Sequence, residues 1–194
     1  MTRIVAVSGS RNADSTTRAA LRVALDAAAD AGAETDLIDL GAVDLPLYHP
    51  DEDAQGDSEE LKRRVREADG VLAGTPVYHG SYSSTFKNFH DFCGSDEYEN
   101  TAVGLLATAG GGSYGGTLEH LRSTFRNVHA WTVPHEVGIR GASSKVETGT
   151  GEGAGGTDGE PRITDADLRR RTERLGRVVL EHAERLRERP ATDA

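Results

Sequence analysis

A β-branched apolar run from Arg3 to Ser8 breaks at Gly9 into small hydroxylated residues and then enters an amphipathic helix, and no other feature constrains this chain as strongly. A strand that passes directly into a helix buries its apolar side under that helix, which points to a layered α/β architecture. Gly9 permits a tight turn. The helix opening near Ser15 directs unpaired N–H groups and the positive end of its dipole toward an anion. Ser10, Ser15, Thr16 and Thr17 add hydroxyl donors. The segment has neither the lysine of a GxxxxGK[ST] loop nor GxGxxG spacing, so it suits a terminal monophosphate better than a triphosphate or a pyrophosphate. Taken alone, it is also compatible with an ordinary Ser/Thr helix cap after a strand.

The same alternation runs along the chain. A helix is expected from about Ser15 to Ala31, with Ala19, Ala20, Val23, Ala24 and Ala27 inward and Gly32 as its stop. A strand follows at Glu34 to Leu40, then a polar, proline-punctuated loop at 44–56. Further helices are expected from Asp57 or Ser58, from Ser83 to Cys93 and from Thr117 to Asn127. Strands are expected at Gly70 to Thr75, Thr101 to Ala109 and His129 to Ile139, the last interrupted near Pro134. Residues 141–161 contain seven glycines and no period, so they are expected to form a mobile excursion, either a linker without function or a flap near an active site or subunit boundary. A helix from about Thr164 to Arg189 closes the chain, with Leu168, Leu175, Val178, Val179 and Leu186 as its apolar stripe. Five strands alternating with helices imply one doubly wound parallel sheet, and 194 residues suit a single domain spanning 1–194.

Composition narrows the partners. Net charge is −10 with the acids dispersed, which disfavours nucleic acid and anionic membrane. No apolar run approaches the ~20 residues needed to span a bilayer, and a cytoplasmic location is expected. Cys93 is the sole cysteine, which excludes an intramolecular disulfide, and the seven histidines show no ligand spacing, so no metal is expected. Cys93 itself lies on an apolar helical face and reads as core. Only Lys62, Lys87 and Lys145 are lysine among 22 basic residues. Such an acidic, lysine-poor surface fits a halophilic protein in a salt-filled cytoplasm, with codon bias as the competing account of the arginine excess.

Loops after the first, third and fourth strands carry unusual chemistry, and in an open parallel sheet they emerge together at the carboxyl edge. In Thr75-Pro76-Val77-Tyr78-His79-Gly80-Ser81, Pro76 fixes the strand exit, Tyr78 offers a flat face and Gly80 allows close backbone approach. The run Thr108-Ala109-Gly110-Gly111-Gly112-Ser113-Tyr114-Gly115-Gly116 strips side chains away, so that peptide N–H groups can line a flat hydrogen-bonding ring. His79 and Tyr78 read as contributors of backbone and wall; Lys87 and Asn88 read as solvated or at a subunit boundary.

With these three motifs in order, Gly9-Ser10…Ser15…Thr17, Pro76-Val77-Tyr78-His79-Gly80-Ser81 and Ala109 to Gly116, the chain resembles the NADPH-dependent FMN reductase family of flavodoxin-like proteins, from residue 3 to about 139 plus the last helix. In one departure Arg11 lies one place before the family arginine and Asn12 stands at that position. The resemblance implies a five-stranded sheet of order 2-1-3-4-5 with helices on both faces. It implies FMN held by its phosphate on Ser10, Ser15 and Thr17, with Arg11 and Thr16 nearby. The ring edge would lie against Pro76, Val77, Tyr78 and His79 and against Ala109, Gly110, Gly111, Gly112 and Tyr114. Any catalytic contribution would come from the backbone of Tyr78, His79 and Gly111. NADPH or NADH would supply a hydride, and a quinone, free flavin, azo compound or metal oxyanion would accept electrons. A homodimer or homotetramer is implied too. Two alternatives stand beside this reading: an electron-transfer or redox-sensing flavoprotein without pyridine-nucleotide activity, and a phospho-ligand binding module without flavin.

The composition generates a first prediction. If the acidic surface is an adaptation to salt, cations that screen its self-repulsion stabilise the fold, and Tm measured by differential scanning fluorimetry rises steeply between low and molar KCl. A flat profile would leave codon bias as the account.

Overall fold

A computed structural model describes residues 1–53, 55–149 and 159–188. The chain runs β1 (Arg3–Ser8), α1 (Thr16–Asp30), β2 (Glu34–Asp39), α2 (Ser58–Arg66), β3 (Gly70–Pro76), α3 (Ser84–Phe92), α4 (Ser95–Tyr98), β4 (Ala102–Ala109) and α5 (Gly115–Asn127). It continues with β5 (Trp131–Arg140), α6 (Ala142–Lys145), β6 (Val146–Glu147), β7 (Arg162–Ile163) and α7 (Ala166–Arg187). The first five strands form one parallel sheet of order β2-β1-β3-β4-β5, as expected for a doubly wound domain.

Alternation along β1 explains the two layers. Ile4 and Ala6 point to one face, where α1 and α7 bury Leu21, Ala24, Leu175 and Val179 against Leu72 and Leu106. Val5 and Val7 point to the other, where α2, α3 and α5 contribute Leu61, Val65, Phe86, Phe89 and Phe125. The central strands β3 and β4 are covered on both sides and are almost wholly buried, which accounts for their continuous apolar runs.

Several boundaries differ from those read in the sequence. Of the inner face expected for α1, Val23 is only partly buried, and Leu21, Leu25 and Ala28 join the core instead. β5 starts at Trp131, because His129 adopts a left-handed φ of 62° that belongs to the turn after α5. The interruption near Pro134 is real: the pairing jumps from Val103↔Thr132 to Leu105↔Glu136, inserting extra residues in an edge strand around a proline that cannot donate to the ladder. α5 begins at Gly115, two residues before Thr117, with the Ser113 hydroxyl accepting from Gly115 N–H at 3.3 Å. α7 begins at Ala166, because Asp165 and not Thr164 is the cap; its carboxylate accepts from Asp167 and Leu168 N–H. Residue 189 lies outside the described residues. On α7, Val178 and Leu186 are only partly buried, while Thr172, Gly176, Leu180 and Ala183 complete the stripe.

Within 141–161, residues 142–147 form α6 and β6, and β6 pairs antiparallel with β7 through Val146↔Ile163 and Glu147↔Arg162. Val146 and Ile163 are both buried in the α1–α7 core layer, so two apolar side chains suffice to anchor the base of a glycine-rich segment. Residues 150–158 lie outside the described residues. The loop at 44–56 is pinned to α3 by Asn88, whose amide donates to Pro46 O at 2.8 Å and accepts from Tyr48 N–H at 2.9 Å.

Under α3, His90 stacks on Phe86 and meets Phe125 and Tyr98 edge-on or tilted. Burial pushes its pKa down to about 4. The folded state therefore holds a neutral imidazole where the unfolded chain takes up a proton below pH ~6.5. Its contribution is complete above that pH and is lost as pH falls toward 4, on the order of 3 kcal/mol. Denaturant unfolding across pH 4–7 checks this: His90→Gln flattens the acid limb of the stability profile, and an unchanged limb would place the acid sensitivity elsewhere.

Candidate functional site

Strands β1, β3 and β4 end side by side, and the loops leaving them enclose a cavity of about 680 Å³. From the first loop come Ser10, Asn12, Asp14, Ser15, Thr16 and Thr17. Ser10, Ser15 and Thr17 are buried although all are hydroxylated. Ser15 is the cap of α1: its hydroxyl oxygen accepts from Arg18 N–H at 3.1 Å, which leaves its hydrogen free to donate. The Arg18 N–H and Ala19 N–H are thereby satisfied, the latter by Ser15 O, so the Thr16 and Thr17 N–H groups remain as the helix's donors without an intrahelical acceptor.

Arg11 does not line this cavity. It is exposed and faces a separate depression with Arg18, Arg22, Asp39 and Gly41. Asn12 takes the inner position, its N–H donating to Ser10 Oγ at 3.3 Å and its side-chain oxygen accepting from Asp14 N–H at 3.0 Å. Arg18 holds the loop from outside by pairing with Asp39 at 2.8 Å and donating to Ala13 O.

The second wall is Pro76, Val77 and Tyr78. Tyr78 N–H donates to Ser81 O at 2.9 Å and Ser81 N–H returns to Tyr78 O at 3.1 Å, closing a two-residue turn. His79 and Gly80 at its centre have φ of 51° and 79°, the paired left-handed geometry of a tight hairpin turn. His79 therefore sits at the exposed corner and lines no part of the cavity, while Tyr78 stays 54% exposed along its rim.

The third wall is Thr108, Ala109 and Gly110; Gly111 and Gly112 continue past it, and Tyr114 turns away onto β5. A Cβ at Gly110, Gly111 or Gly112 would meet nothing within 4 Å, and none of the three has the positive φ that favours glycine. Neither packing against the described residues nor backbone conformation demands glycine there.

Hydroxyls missed in the sequence hold the walls together. Thr17 Oγ1 and Thr108 Oγ1 share a buried 2.6 Å hydrogen bond. Ser83 caps α3 and donates to Gly9 O at 2.6 Å, while Gly9 lies so near α3 that a Cβ there would stand 2.7 Å from Phe86 Cβ. A polar residue followed by a helix was legible at Ser83; its reach to Gly9, 74 positions away, was not. The fourth wall comes from α6, β6 and the residues beside β7, within the stretch for which a flap near an active site is one of the two readings. It brings Ser143, Glu147, Thr148 and Glu160, and Thr148 donates to the Asp14 carboxylate. Cys93 is buried away from the cavity, and burial pushes its thiol up to about 12, as befits a core residue.

A volume of this size is ordinary for a cofactor site, and its parts match FMN: buried hydroxyls and free N–H groups at a helix N-terminus for a phosphate, and a side-chain-free loop facing an aromatic rim for a flat ring. Comparisons with known proteins agree. The NADPH-dependent FMN reductase family profile matches residues 2–144, and the chain belongs to that family. An NADPH azoreductase of Bacillus sp. (strain OY1-2) is 37% identical over 136 residues, covering 68% of this chain and 72% of that protein. Among solved structures, an apo NADH:FMN oxidoreductase superposes with a TM-score of 0.72 at 20% identity, covering 99% of this chain and 94% of the other. A flavodoxin from the domain Archaea superposes at 0.65 and 11% identity, covering 96% and 100%. The fold is flavodoxin-like, and the protein is an FMN-dependent oxidoreductase that draws on NAD(P)H.

Ser15→Ala removes a hydroxyl donor from the cradle, and FMN affinity is expected to fall roughly tenfold to a hundredfold while riboflavin, which lacks the anion, loses much less. Flavin fluorescence titration checks it. Equal losses for both ligands would mean that Ser15 acts only by starting the helix.

Proposed function

We propose that Ser10, Ser15, Thr16 and Thr17, with the α1 N-terminus, hold the FMN phosphate, and that the ring lies between Pro76–Tyr78 and Ala109–Gly111. The observation that carries this reading is the glycine run, whose bareness has no cause among the described residues. FMN, when bound, supplies the hydride-accepting and electron-donating chemistry. The protein's part is orientation and electrostatics: Pro76 has no N–H and the Val77 and Tyr78 N–H groups already donate to Thr108 O and Ser81 O, so that loop serves as a wall, and the N–H groups left to face the negative charge that grows on reduction are those of the glycine loop. No side chain with an acid or base role is required. His79 is turned outward, and Tyr78 serves as a flat wall.

The acceptor we propose is a small planar oxidant, an azo compound or a quinone, supported by the similarity to the Bacillus azoreductase. Tyr78 is exposed at the rim, and Leu47 is 83% exposed on the loop pinned to α3; both support a homo-oligomer in which a second copy closes the open side. A single buried cysteine supports a reducing, cytoplasmic setting, and the acidic surface supports a salt-adapted one. Among the described residues no helix is long and apolar enough to cross a membrane.

Anaerobic rapid mixing of the FMN-loaded protein with NADPH, followed at the flavin band near about 450 nm, tests the assignment, with azo and quinone acceptors added afterwards. Gly111→Val is expected to slow reduction about a hundredfold by holding the ring off its donors, although the new side chain clashes with nothing in the protein itself. His79→Ala and Tyr78→Ala are expected to cost tenfold or less by the same scale. A normal Gly111→Val beside a His79→Ala slowed by thousands would establish a side-chain acid/base mechanism instead.

A further inference from the structure

The flavin cavity has an unusual charge pattern for an enzyme served by a phosphorylated dinucleotide. Its described lining includes Asp14, Glu147 and Glu160 but no Lys or Arg. A 2′-phosphate carries about two negative charges and is ordinarily recognised by guanidinium or ammonium groups. Those groups stand on the other side of the glycine loop.

A second cavity, of about 200 Å³, opens between the end of β5 and the start of α7, and Arg140, Lys145 and Arg171 all line it. None of the three makes an ion pair among the described residues, whereas Arg3, Arg18, Arg63, Arg64 and Arg66 all do. Three cations without an ion-pair partner among the described residues outnumber the two carboxylates that share the depression, Asp165 and Asp167, in a chain of net charge −10. Both carboxylates are tied to α7. Asp165 caps α7 by accepting from Asp167 and Leu168 N–H, both at 3.0 Å, and Asp167 pairs with Arg170.

This cavity is coupled to the flavin loop through Arg140. Its Nε donates to Gly111 O at 2.9 Å, which leaves the two terminal amino groups of the guanidinium for another acceptor. Tyr114 adds a half-buried aromatic surface: its ring lies on Gly138, where a Cβ would come within 2.0 Å of it. An aromatic face beside unpaired cations is what an adenosine phosphate takes.

We propose that this cavity binds the 2′-phosphate of NADPH, with Arg140, Lys145 and Arg171 as the residues that select NADPH over NADH, while the nicotinamide end crosses the glycine loop into the flavin cavity. The proposal goes beyond the family activity, which leaves the seat of the 2′-phosphate open, and it rests on that activity only for the identity of the donor.

Calorimetric titration of the FMN-loaded protein with adenosine 2′,5′-bisphosphate and with 5′-AMP tests it without turnover. The bisphosphate is expected to bind at least tenfold more tightly. Arg140→Gln, Lys145→Gln and Arg171→Gln are each expected to weaken it roughly tenfold to a hundredfold, with Arg140→Lys recovering part of the loss. For Lys145→Gln and Arg171→Gln, KM for NADPH rises in parallel while KM for NADH, Tm and FMN affinity stay as they were; Arg140→Gln, which also releases Gly111 O, is read from the ratio of bisphosphate to 5′-AMP affinity alone. Equal binding of the two nucleotides, or variants that weaken NADPH and NADH alike, would overturn the assignment. Failure of the protein to take up FMN would sink the flavin site instead, and the nucleotide titrations of the apoprotein would still decide this one.

Discussion

The functional edge of this protein depends on the Ser83 hydroxyl. It accepts from Phe86 N–H at 3.0 Å to start α3 and donates to Gly9 O at 2.6 Å, while Ser83 N–H is received by Thr75 Oγ1 at 2.9 Å. One buried residue thus ties the turn after β1 to the loop after β3. A single net hydrogen bond is worth only about 1 kcal/mol, but a buried polar group left without its partner costs more, about 1–3 kcal/mol, and that asymmetry locks the arrangement. Gly9 N–H continues the ladder to Gly74 O at 2.8 Å, and Val77 N–H continues it to Thr108 O at 2.8 Å. The three loops therefore begin as extensions of the sheet, and they hold the rigidity that a site built from peptide N–H groups needs.

Electrostatics divides the same edge into zones. The α1 N-terminus offers an anion hydroxyls and N–H groups without a formal cation, and Arg18, the nearest arginine on the helix, is occupied by Asp39. Among the described residues, carboxylates enter the cavity from Asp14, from Glu147 of β6 and from Glu160 before β7. Free positive charge gathers beyond the glycine loop, at Arg140, Lys145 and Arg171. On the assignments proposed above, a neutral cradle for one phosphate and a cationic depression for another would let one acidic protein accommodate two anionic ligands at separate places along one edge.

Most of the architecture was legible because parallel α/β structure leaves strong local marks. Continuous apolar runs at β3 and β4 announce strands buried on both faces, and the 3.6-residue stripes of α1 and α7 announce helices that cover them. At 141–161 glycine density dominates composition and hides the β6–β7 pairing at its base, which rests on two residues, Val146 and Ile163, that meet only in the fold. Arg11 misled for a related reason. A cation beside a phosphate loop is plausible by type, but the direction of its side chain follows from the turn between Ser10 and Asp14, which places Asn12 inward.

The sequence by itself determined the strand–helix order, the three loop motifs and hence the flavin-reductase family, because each of these rests on contacts within about 15 residues whose periodicity and turn chemistry are local. Only the tertiary structure decided which of those residues share a cavity. It also showed that Thr108 meets Thr17 across 91 positions and that a further wall of the cavity comes from α6, β6 and the residues before β7. Burial and ion pairing are properties of segments distant in the chain brought side by side, so no local pattern distinguishes the paired Arg18 from the unpaired Arg140.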